Sequence, residues 1–262
     1  MTLETTSQEK QEHRHQKKRR WPKRLAIVLI ALVVMSGVGF GVYVSDYYEA
    51  GDTATALAAE LSETGELLET DGSIAVGQSD AEVGIVIYPG AKVDPYAYVP
   101  LADVLSDQGY YCVIAKMPFN LAFFGINAAA DIMNSAPKVD QWWIAGHSLG
   151  GAMVAQFASN HPSELEGVIL LAAYAASDLS VTNLDVEIIY GSNDGVLNRA
   201  ALEENAGNLA HNAITHVIEG GNHAGFGDYG PQDGDGECSI GAPEQWRITS
   251  SEVNERIEAR SV

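Results

Sequence analysis

A serine stands between glycines in the segment Gly146–Gly151, which reads GHSLGG and joins a predicted strand to a predicted Ala-rich helix. In this strand–turn–helix setting, the pattern G-x-S-x-G is typical of a nucleophile held in a strained, exposed turn. Glycines are needed on both sides because Cβ atoms there would collide in the tight turn. We therefore predict that Ser148 is a nucleophile, with an ordinary Gly-rich turn as the alternative interpretation.

A serine hydroxyl needs a general base, and the base needs an acid that orients it. Asp194 follows the predicted strand that ends at Tyr190, and His223 follows the one that ends at Ile218. Both stand at carboxyl ends of strands, where open α/β sheets carry their sites, and the order serine, acid, histidine is a known one. We predict Asp194 as the acid and His223 as the base. Asp178 is an alternative acid, and plain turn or loop roles are the other interpretations.

Attack on a carbonyl group leaves negative charge on its oxygen, which backbone N–H groups can stabilise. Leu149 opens the predicted helix after the serine, and Ala91 lies in the turn after the first predicted parallel strand. We predict their N–H groups as the two oxyanion donors; for Ala91 an ordinary strand-end turn is the alternative. His147 is expected to pack beside the serine in a structural role. This chemistry requires no cofactor and no metal, so we predict neither.

These residues must be positioned by strands and helices. Short runs of β-branched and aromatic residues predict strands buried on both faces, at 84–88, 111–115, 141–145, 167–172, 186–190 and 215–218. Helical spacing of apolar residues alternates with them, at 98–108, 126–133, 149–159, 199–209 and 243–259. The alternation predicts a doubly wound, mostly parallel α/β sheet. Asp71-Gly72 also predicts a two-residue hairpin between 66–70 and 73–77, and 53–62 is expected to be a short helix or a linker.

The N-terminal region differs in charge from the rest of the chain. Residues 1–24 hold eight basic and three acidic residues, or +5, whereas 45–262 hold seven basic and 32 acidic residues, or −25. Between them, 25–44 are uncharged and as a helix would span about 30 Å, the thickness of a bilayer core. Because basic flanks stay cytoplasmic, we predict a cytoplasmic tail over 1–24, an uncleaved transmembrane signal-anchor over 25–44 and an exported remainder. A cleaved signal, giving a secreted protein, is the alternative.

The whole chain has 262 residues, a net charge of −20 and 46% hydrophobic residues. The length and the apolar fraction suit one domain with an appendage and exclude a disordered acidic tail. The negative charge argues against a nucleic-acid partner, because phosphate would be repelled. Two cysteines exclude a disulfide scaffold and a Cys-based zinc module, while a Cys112–Cys238 disulfide stays open at this point.

The chain resembles the α/β-hydrolase superfamily, and more closely a small capless bacterial branch related to dienelactone hydrolases. Beyond the serine turn, the resemblance rests on the segments 88–95, 117–120, 220–230 and 234–236, and it covers about 83–260. It implies Ser148 as nucleophile, Asp194 as acid and His223 as base. One departure is Pro89-Gly90 where many members carry His-Gly. We assign 45–82 to a linker and short hairpin and 83–262 to the hydrolase domain, whose short connection 172–186 leaves no room for a cap.

Together these features predict a membrane-anchored, extracytoplasmic serine hydrolase that cleaves carboxylic esters through an acyl-enzyme. The expected partners are a small-molecule or cell-surface acyl ester and, through 25–44, the membrane. A thioesterase or acyltransferase on the same triad, haloperoxidase-like chemistry and a non-catalytic binding protein are the alternatives. Lys92 is expected in a salt bridge, or else to attract an anionic substrate. The acidic stretch 228–237 is expected to be a turn that supports the histidine loop, because its spacing misses an EF-hand calcium loop.

Overall fold

The computed structural model describes residues 21–260, and the side chains from residue 25 onward. Most of the predicted basic tail, residues 1–20, lies outside the described residues. Residues up to Asp46 and residues from Tyr47 onward form two separate compact units. In the first, the helix α1 (Trp21–Ser45) carries a stretch, Leu25–Ser45, long and apolar enough to cross a membrane. Signal sequences share this property.

The second unit is an α/β fold built on one sheet. Within the described residues the sheet has eight strands in the order β1-β2-β4-β3-β5-β6-β7-β8. Their bounds are β1 Leu67–Glu69, β2 Ser73–Val76, β3 Val83–Tyr88, β4 Tyr111–Ala115, β5 Gln141–His147, β6 Gly167–Leu171, β7 Asp185–Gly191 and β8 Ile214–Ile218. Strands β3 to β8 run parallel, whereas the hairpin β1–β2 is antiparallel and pairs through β2 with β4. The predicted doubly wound sheet and the predicted hairpin are confirmed.

Side chains alternate between two apolar layers because successive residues of a strand point to opposite faces. In β3, Ile85 and Ile87 pack into one layer, and Val86 and Tyr88 pack into the other. Helices cover both faces: α2 Asp52–Thr64, α3 Val99–Ser106 and α7 Ala242–Arg260 lie on one side, and α4 Ala128–Ser135 and α5 Leu149–Asn160 lie on the other. The short helix α6 (Arg199–Glu204) follows β7. Each predicted strand and helix is present, with shifts at some ends.

The segment before β3 is more than a linker. Helix α2 buries Ala54, Ala58 and Leu61 in the core, and it ends at Gly65, whose φ of 79° is the left-handed conformation that glycine favours. The carboxylate of Asp228 accepts the N–H of Ala54 at 2.8 Å and so caps the start of this helix. Residues 52–76 are therefore an integral part of the α/β unit, added at one edge of its sheet and on one of its faces.

Candidate active site

The turn at Ser148 has the strained geometry that the sequence predicts. Strand β5 ends at His147, helix α5 begins at Leu149, and Ser148 between them has φ 53° and ψ −119°. For a residue with a Cβ atom such backbone angles cost about 1–3 kcal/mol and persist only where the surroundings enforce them. One restraint is the Ser148 N–H, which donates to the carbonyl oxygen of Leu171 at 3.0 Å. The turn presents the serine at the carboxyl edge of the sheet.

The flanking glycines are required by close backbone approaches. A Cβ atom on Gly146 would lie 2.5 Å from the oxygen of Gly150, and one on Gly150 would lie 2.3 Å from the oxygen of Tyr88. Both distances are far inside van der Waals contact. The first approach closes the turn itself, and the second presses the start of α5 against the end of β3. These contacts are the physical reason for the G-x-S-x-G spacing in this chain.

Asp194 and His223 form a buried pair in the loops after β7 and β8. Nδ1 of His223 lies 3.0 Å from Oδ2 of Asp194. Oδ1 of the same carboxylate accepts the N–H groups of Val196 at 2.8 Å and Leu197 at 2.7 Å. Burial raises the pKa of Asp194, but the hydrogen bonds from His223 and from these N–H groups outweigh it, so the pKa lies below its ordinary value. The carboxyl group therefore stays ionised and can hold the Nδ1 proton of His223.

The serine and the histidine share one cleft. Its volume is about 250 Å³, and Ser148, Leu149, Ala152, Ala172, Ala173, Tyr174, Val196, Leu197, Asn198 and His223 line it. Among the described residues, the buried Nε2 of His223 has no hydrogen-bond partner. The imidazole is thus fixed at Nδ1 by an acid, while its second nitrogen is available within the cleft that holds Ser148. Such a site can take a proton from a hydroxyl group and return it to a leaving group.

The two backbone N–H groups predicted to bind an oxyanion differ in position, because Leu149 lines the cleft and Ala91 is not among its lining residues. No acceptor among residues 21–260 bonds the N–H of Ala91 or of Leu149. Leu149 opens α5, where the positive end of the helix dipole lies. Ala91 lies in the turn after β3, against which α5 packs at Gly150. The two residues predicted as oxyanion donors therefore lie on neighbouring turns.

A buried tyrosine links this turn to the serine turn, which the sequence did not reveal. The hydroxyl of Tyr98 accepts the N–H of Gly90 at 2.9 Å and lies 2.7 Å from Nδ1 of His147. The hydroxyl can accept from Gly90 and at the same time donate its own proton to His147 Nδ1; we assign this arrangement, with the imidazole proton on Nε2. Burial, and then the nearby His223, hold the pKa of His147 well below its usual range. His147 is therefore neutral, and its ring packs 4.6 Å from that of His223.

The histidine loop is held by a single carboxylate from the acidic stretch. The side chain of Asp235 accepts the N–H groups of His223 (3.2 Å), Ala224 (2.8 Å) and Gly195 (3.1 Å). It also accepts the N–H of Gly236 at 2.9 Å. Gly195 directly follows Asp194. The side chain of Asp235 therefore connects the loop after β7, which carries Asp194, to the loop after β8, which carries His223. The acidic stretch 228–237 therefore supports the histidine loop as expected, and Asp235 is the residue that does so.

A glutamine from α7 fixes the same loop from its other side. The side chain of Gln245 is fully buried. Its oxygen accepts the backbone N–H of Asn222 at 3.0 Å, and its amide nitrogen donates to the backbone carbonyl oxygen of Asn222 at 2.9 Å. The Asn222 side chain in turn accepts the N–H of Gly225 and donates to the oxygen of Gly236, both at 2.8 Å. The backbone on both sides of His223 is therefore fully engaged.

A short segment at the start of the α/β unit also contacts both loops. The N–H of Tyr48 donates to the oxygen of Lys92 at 2.7 Å, and the oxygen of Tyr48 accepts the N–H of Asp94 at 2.9 Å. The N–H of Gly51 donates to the oxygen of Asp228 at 2.6 Å. Residues 48–51 thus join the segment after the Ala91 turn to the segment after the histidine loop. The sequence alone predicts a linker over these residues.

Three further features considered in the sequence are the alternative acid Asp178, a disulfide and a cap domain, and the structure shows the outcome for each. Asp178, the alternative acid, is exposed, and its carboxylate accepts the N–H (2.9 Å) and hydroxyl (2.6 Å) of Ser180 rather than meeting His223. Cys112 and Cys238 are not joined in a disulfide. The connection between β6 and β7 contains no helix or strand in this described part of the chain, so no cap domain is inserted there.

Comparison with known proteins assigns the fold. The sequence profile of the alpha/beta hydrolase family matches residues 84–247, and the chain belongs to this family. No curated protein sequence matches the chain significantly. One similar crystal structure, with a TM-score of 0.57 and 14% identity over 75% of this chain and 99% of the other, is an alpha/beta hydrolase enzyme from a sediment metagenome of the lagoon of Mar Chica, Morocco.

Two further structures share the fold. A membrane phospholipase A, described as a bacterial virulence factor, gives a TM-score of 0.56 with 12% identity over 90% of this chain and 99% of its own. A dienelactone hydrolase from Anabaena variabilis gives 0.54 with 14% identity over 68% of this chain and 88% of its own. At these identities the likeness shows the fold, and the family supports hydrolase activity.

Proposed function

We propose that this protein is a membrane-anchored, extracytoplasmic serine hydrolase that cleaves carboxylic esters. The observation that carries the proposal is the buried Asp194–His223 pair, which leaves the second imidazole nitrogen of His223 available in the cleft that contains Ser148. A general base needs this arrangement, with one nitrogen fixed by an ionised acid and the other facing the cleft that holds the nucleophile. The membership of the chain in a hydrolase family agrees with this assignment.

In the proposed mechanism, Ser148 attacks the ester carbonyl while Nε2 of His223 takes the hydroxyl proton. Asp194 holds Nδ1–H and stabilises the imidazolium that forms. The N–H groups of Leu149 and Ala91 bind the oxyanion. His223 then gives its proton to the leaving alcohol, and an acyl group remains on the serine. Water, deprotonated by the same imidazole, attacks this acyl-enzyme and releases the acid.

The cleft favours a small acyl group. Alanines at 152, 172 and 173 line it beside Leu197, and its volume of about 250 Å³ is smaller than the roughly 300–1,000 Å³ usual for ligand pockets. Asn198 is a polar lining residue, although its side-chain oxygen also accepts the N–H of Ala201 at 3.0 Å. Without a cap the leaving alcohol can extend into solvent, so a substrate displayed on a larger molecule can be accepted. A thiol ester, or transfer to another acceptor, would use the same acyl-enzyme.

The localisation rests on the first unit. The stretch Leu25–Ser45 is long and apolar enough to span a bilayer. The surplus of basic residues before it favours a cytoplasmic N-terminus, so we expect the hydrolase unit outside. Protease added to intact cells tests the topology: loss of the 47–262 unit is expected, and its full protection would reverse the orientation.

A fluorophosphonate probe tests the nucleophile. Labelling of the full-length protein in detergent, absent from Ser148→Ala, is expected. Ser192→Ala is the matched control, since Ser192 is another loop serine at the same sheet edge, and it should label like wild type. An acyl-chain series of p-nitrophenyl esters then tests the substrate, with hydrolysis fastest for short chains. Folded wild type that neither labels nor turns over any ester would overturn the proposal.

A further inference from the structure

A second cluster of ionisable side chains lies away from the cleft, where α7 crosses the edge of the sheet. Glu187 lies on β7, His216 on β8 and Glu252 on α7. Each side chain offers a donor atom, and these atoms all lie within 4.8 Å of one another. Glu187 is the third residue of β7, whereas Asp194 lies beyond the other end of that strand. The cluster is therefore separate from the proposed active site.

The carboxylate of Glu187 is unusual because it is buried without compensation. Its side chain is 0% exposed, and neither of its oxygens has a hydrogen-bond partner among the described residues. Burying a carboxylate in this way is costly unless it is paired, coordinated or protonated. Burial, with repulsion from Glu252, raises the pKa of Glu187 to about 7, although Arg256 acts in the opposite direction. Apart from the imidazole of His216, 3.4 Å from Oε1, no basic side chain in the described part of the chain forms an ion pair with this carboxylate.

The charged neighbours do not supply such an ion pair. Arg256 faces the cluster from α7, but its guanidinium lies 3.3 Å from the carboxylate of Asp185 and donates to the oxygen of Asn212 at 2.8 Å. Glu255, also on α7, adds further negative charge near Glu187. The local field at the carboxylate of Glu187 therefore favours an additional cation.

The spacing of the donor atoms fits a metal ion. Nε2 of His216 lies 3.4 Å from Oε1 of Glu187. Two donors bound about 2.1 Å from one tetrahedral ion lie roughly 3.4 Å apart. On its other side, Nδ1 of His216 lies 2.8 Å from Oε2 of Glu252. A carboxylate that accepts the second ring N–H of a histidine is the usual way of orienting a metal-bound imidazole.

We propose that Glu187 and Nε2 of His216 bind a divalent cation of the zinc type, with Glu252 orienting the imidazole. An imidazole with carboxylate oxygens suits zinc better than calcium or magnesium, which take oxygen ligands. Both oxygens of Glu187 are available, so it can bind through one or both, and water completes the shell. His216 is about one-third exposed, which gives the ion a path from solvent. The site would link β7, β8 and α7 and has no part in the ester chemistry.

Zinc binding to the full-length protein tests the site directly. The protein is stripped with a chelator in detergent, and binding of Zn²⁺ is followed by calorimetry and by the thermal unfolding midpoint. One equivalent is expected to bind and to raise the midpoint. Glu187→Gln and His216→Gln are each expected to weaken binding at least tenfold, and Glu252→Gln by about tenfold to a hundredfold.

The controls separate this site from general attraction of cations to an acidic chain. His211→Gln removes an exposed histidine three residues before β8 and is expected to bind zinc like wild type. Glu187→Gln is expected to fold without zinc, because the variant relieves an uncompensated buried charge, and His216→Gln provides a second variant at a more exposed position. The proposal is overturned if wild type binds no stoichiometric zinc, or if the Glu187 and His216 variants bind it as tightly as His211→Gln does.

Discussion

Tyr98→Phe removes a single oxygen atom from the interior, between the turn that carries Ala91 and the histidine that precedes Ser148. The ring of the tyrosine is fully buried, so phenylalanine fills the same space without a cavity. The change deletes two hydrogen bonds, from Gly90 N–H at 2.9 Å and to His147 Nδ1 at 2.7 Å. Burial also raises the pKa of the Tyr98 hydroxyl, which keeps it neutral at any working pH.

The expected magnitude follows from the two groups left behind. A buried donor or acceptor that loses its partner costs about 1–3 kcal/mol. With two such groups, Gly90 N–H and His147 Nδ1, we expect a loss of roughly 2–6 kcal/mol in the free energy of unfolding. The Gly90 turn is also released next to Ala91. Since removal of an oxyanion donor costs about a hundredfold or more in kcat, misplacement of one should cost at least about tenfold.

Equilibrium denaturation and steady-state ester hydrolysis measure the two effects separately, at a temperature where every variant is folded. Tyr110→Phe is the matched control. The hydroxyl of Tyr110 donates to Asn254 at 2.7 Å next to the amino end of β4, away from the cleft. This variant should lose about 1 kcal/mol of stability and no activity. Equal kcat values for the two variants would refute the role assigned to Tyr98.

Three further predictions follow from the site geometry. Asp235→Asn replaces a carboxylate that accepts four N–H groups, and denaturation should show a loss of about 1–3 kcal/mol together with a lower kcat. Gly150→Ala places a Cβ atom 2.3 Å from a backbone oxygen of β3 and should lower the free energy of unfolding by about 1–3 kcal/mol or more. Gly207→Ala is the control, because a Cβ atom there meets nothing within 4 Å and should cause no such loss. Similar losses of stability in the two variants would contradict the close approach at Gly150. Because the pKa of Asp194 is lowered in the folded state, its contribution to stability is present above about pH 4 and lost as the pH falls through the folded value. The stability difference between wild type and Asp194→Asn should therefore shrink on acidification below pH ~4, and a constant difference from pH 7 to pH 3 would contradict this reasoning.

Local patterns in the sequence predicted most of the fold. The strands from β3 to β8 are continuous apolar runs, and the helices between them follow the 3.6-residue period, so each could be read from its own residues. The placement of Ser148, Asp194 and His223 also followed, because the carboxyl ends of parallel strands share one edge. These predictions depend only on chain order and on the rules of sheet topology.

The missed contacts are those between residues distant in the chain. Tyr98 and His147 are 49 residues apart, and neither lies in a motif that requires the other. Asp235 was one of several acidic residues in its stretch, and only the folded loop shows which of them accepts the N–H groups of His223 and Ala224. Its position between Gly234 and Gly236 was the available signal. Which of several acidic residues bonds a given N–H group depends on tertiary packing, and the periodicity of the sequence does not predict that packing.

The cap at the start of α2 has a consequence for the order in which the protein is completed. The N–H of Ala54 and the carboxylate of Asp228 are separated by 174 residues. At a synthesis rate of about 5–20 residues per second, roughly 9 to 35 s pass between the appearance of the helix and that of its cap. The N–H of Gly51 waits about as long, because its acceptor is the backbone oxygen of the same Asp228. The cleft thus reaches its final arrangement only after Asp228 has been made, so a chain shortened before this residue would lack the cap and should lose activity together with stability.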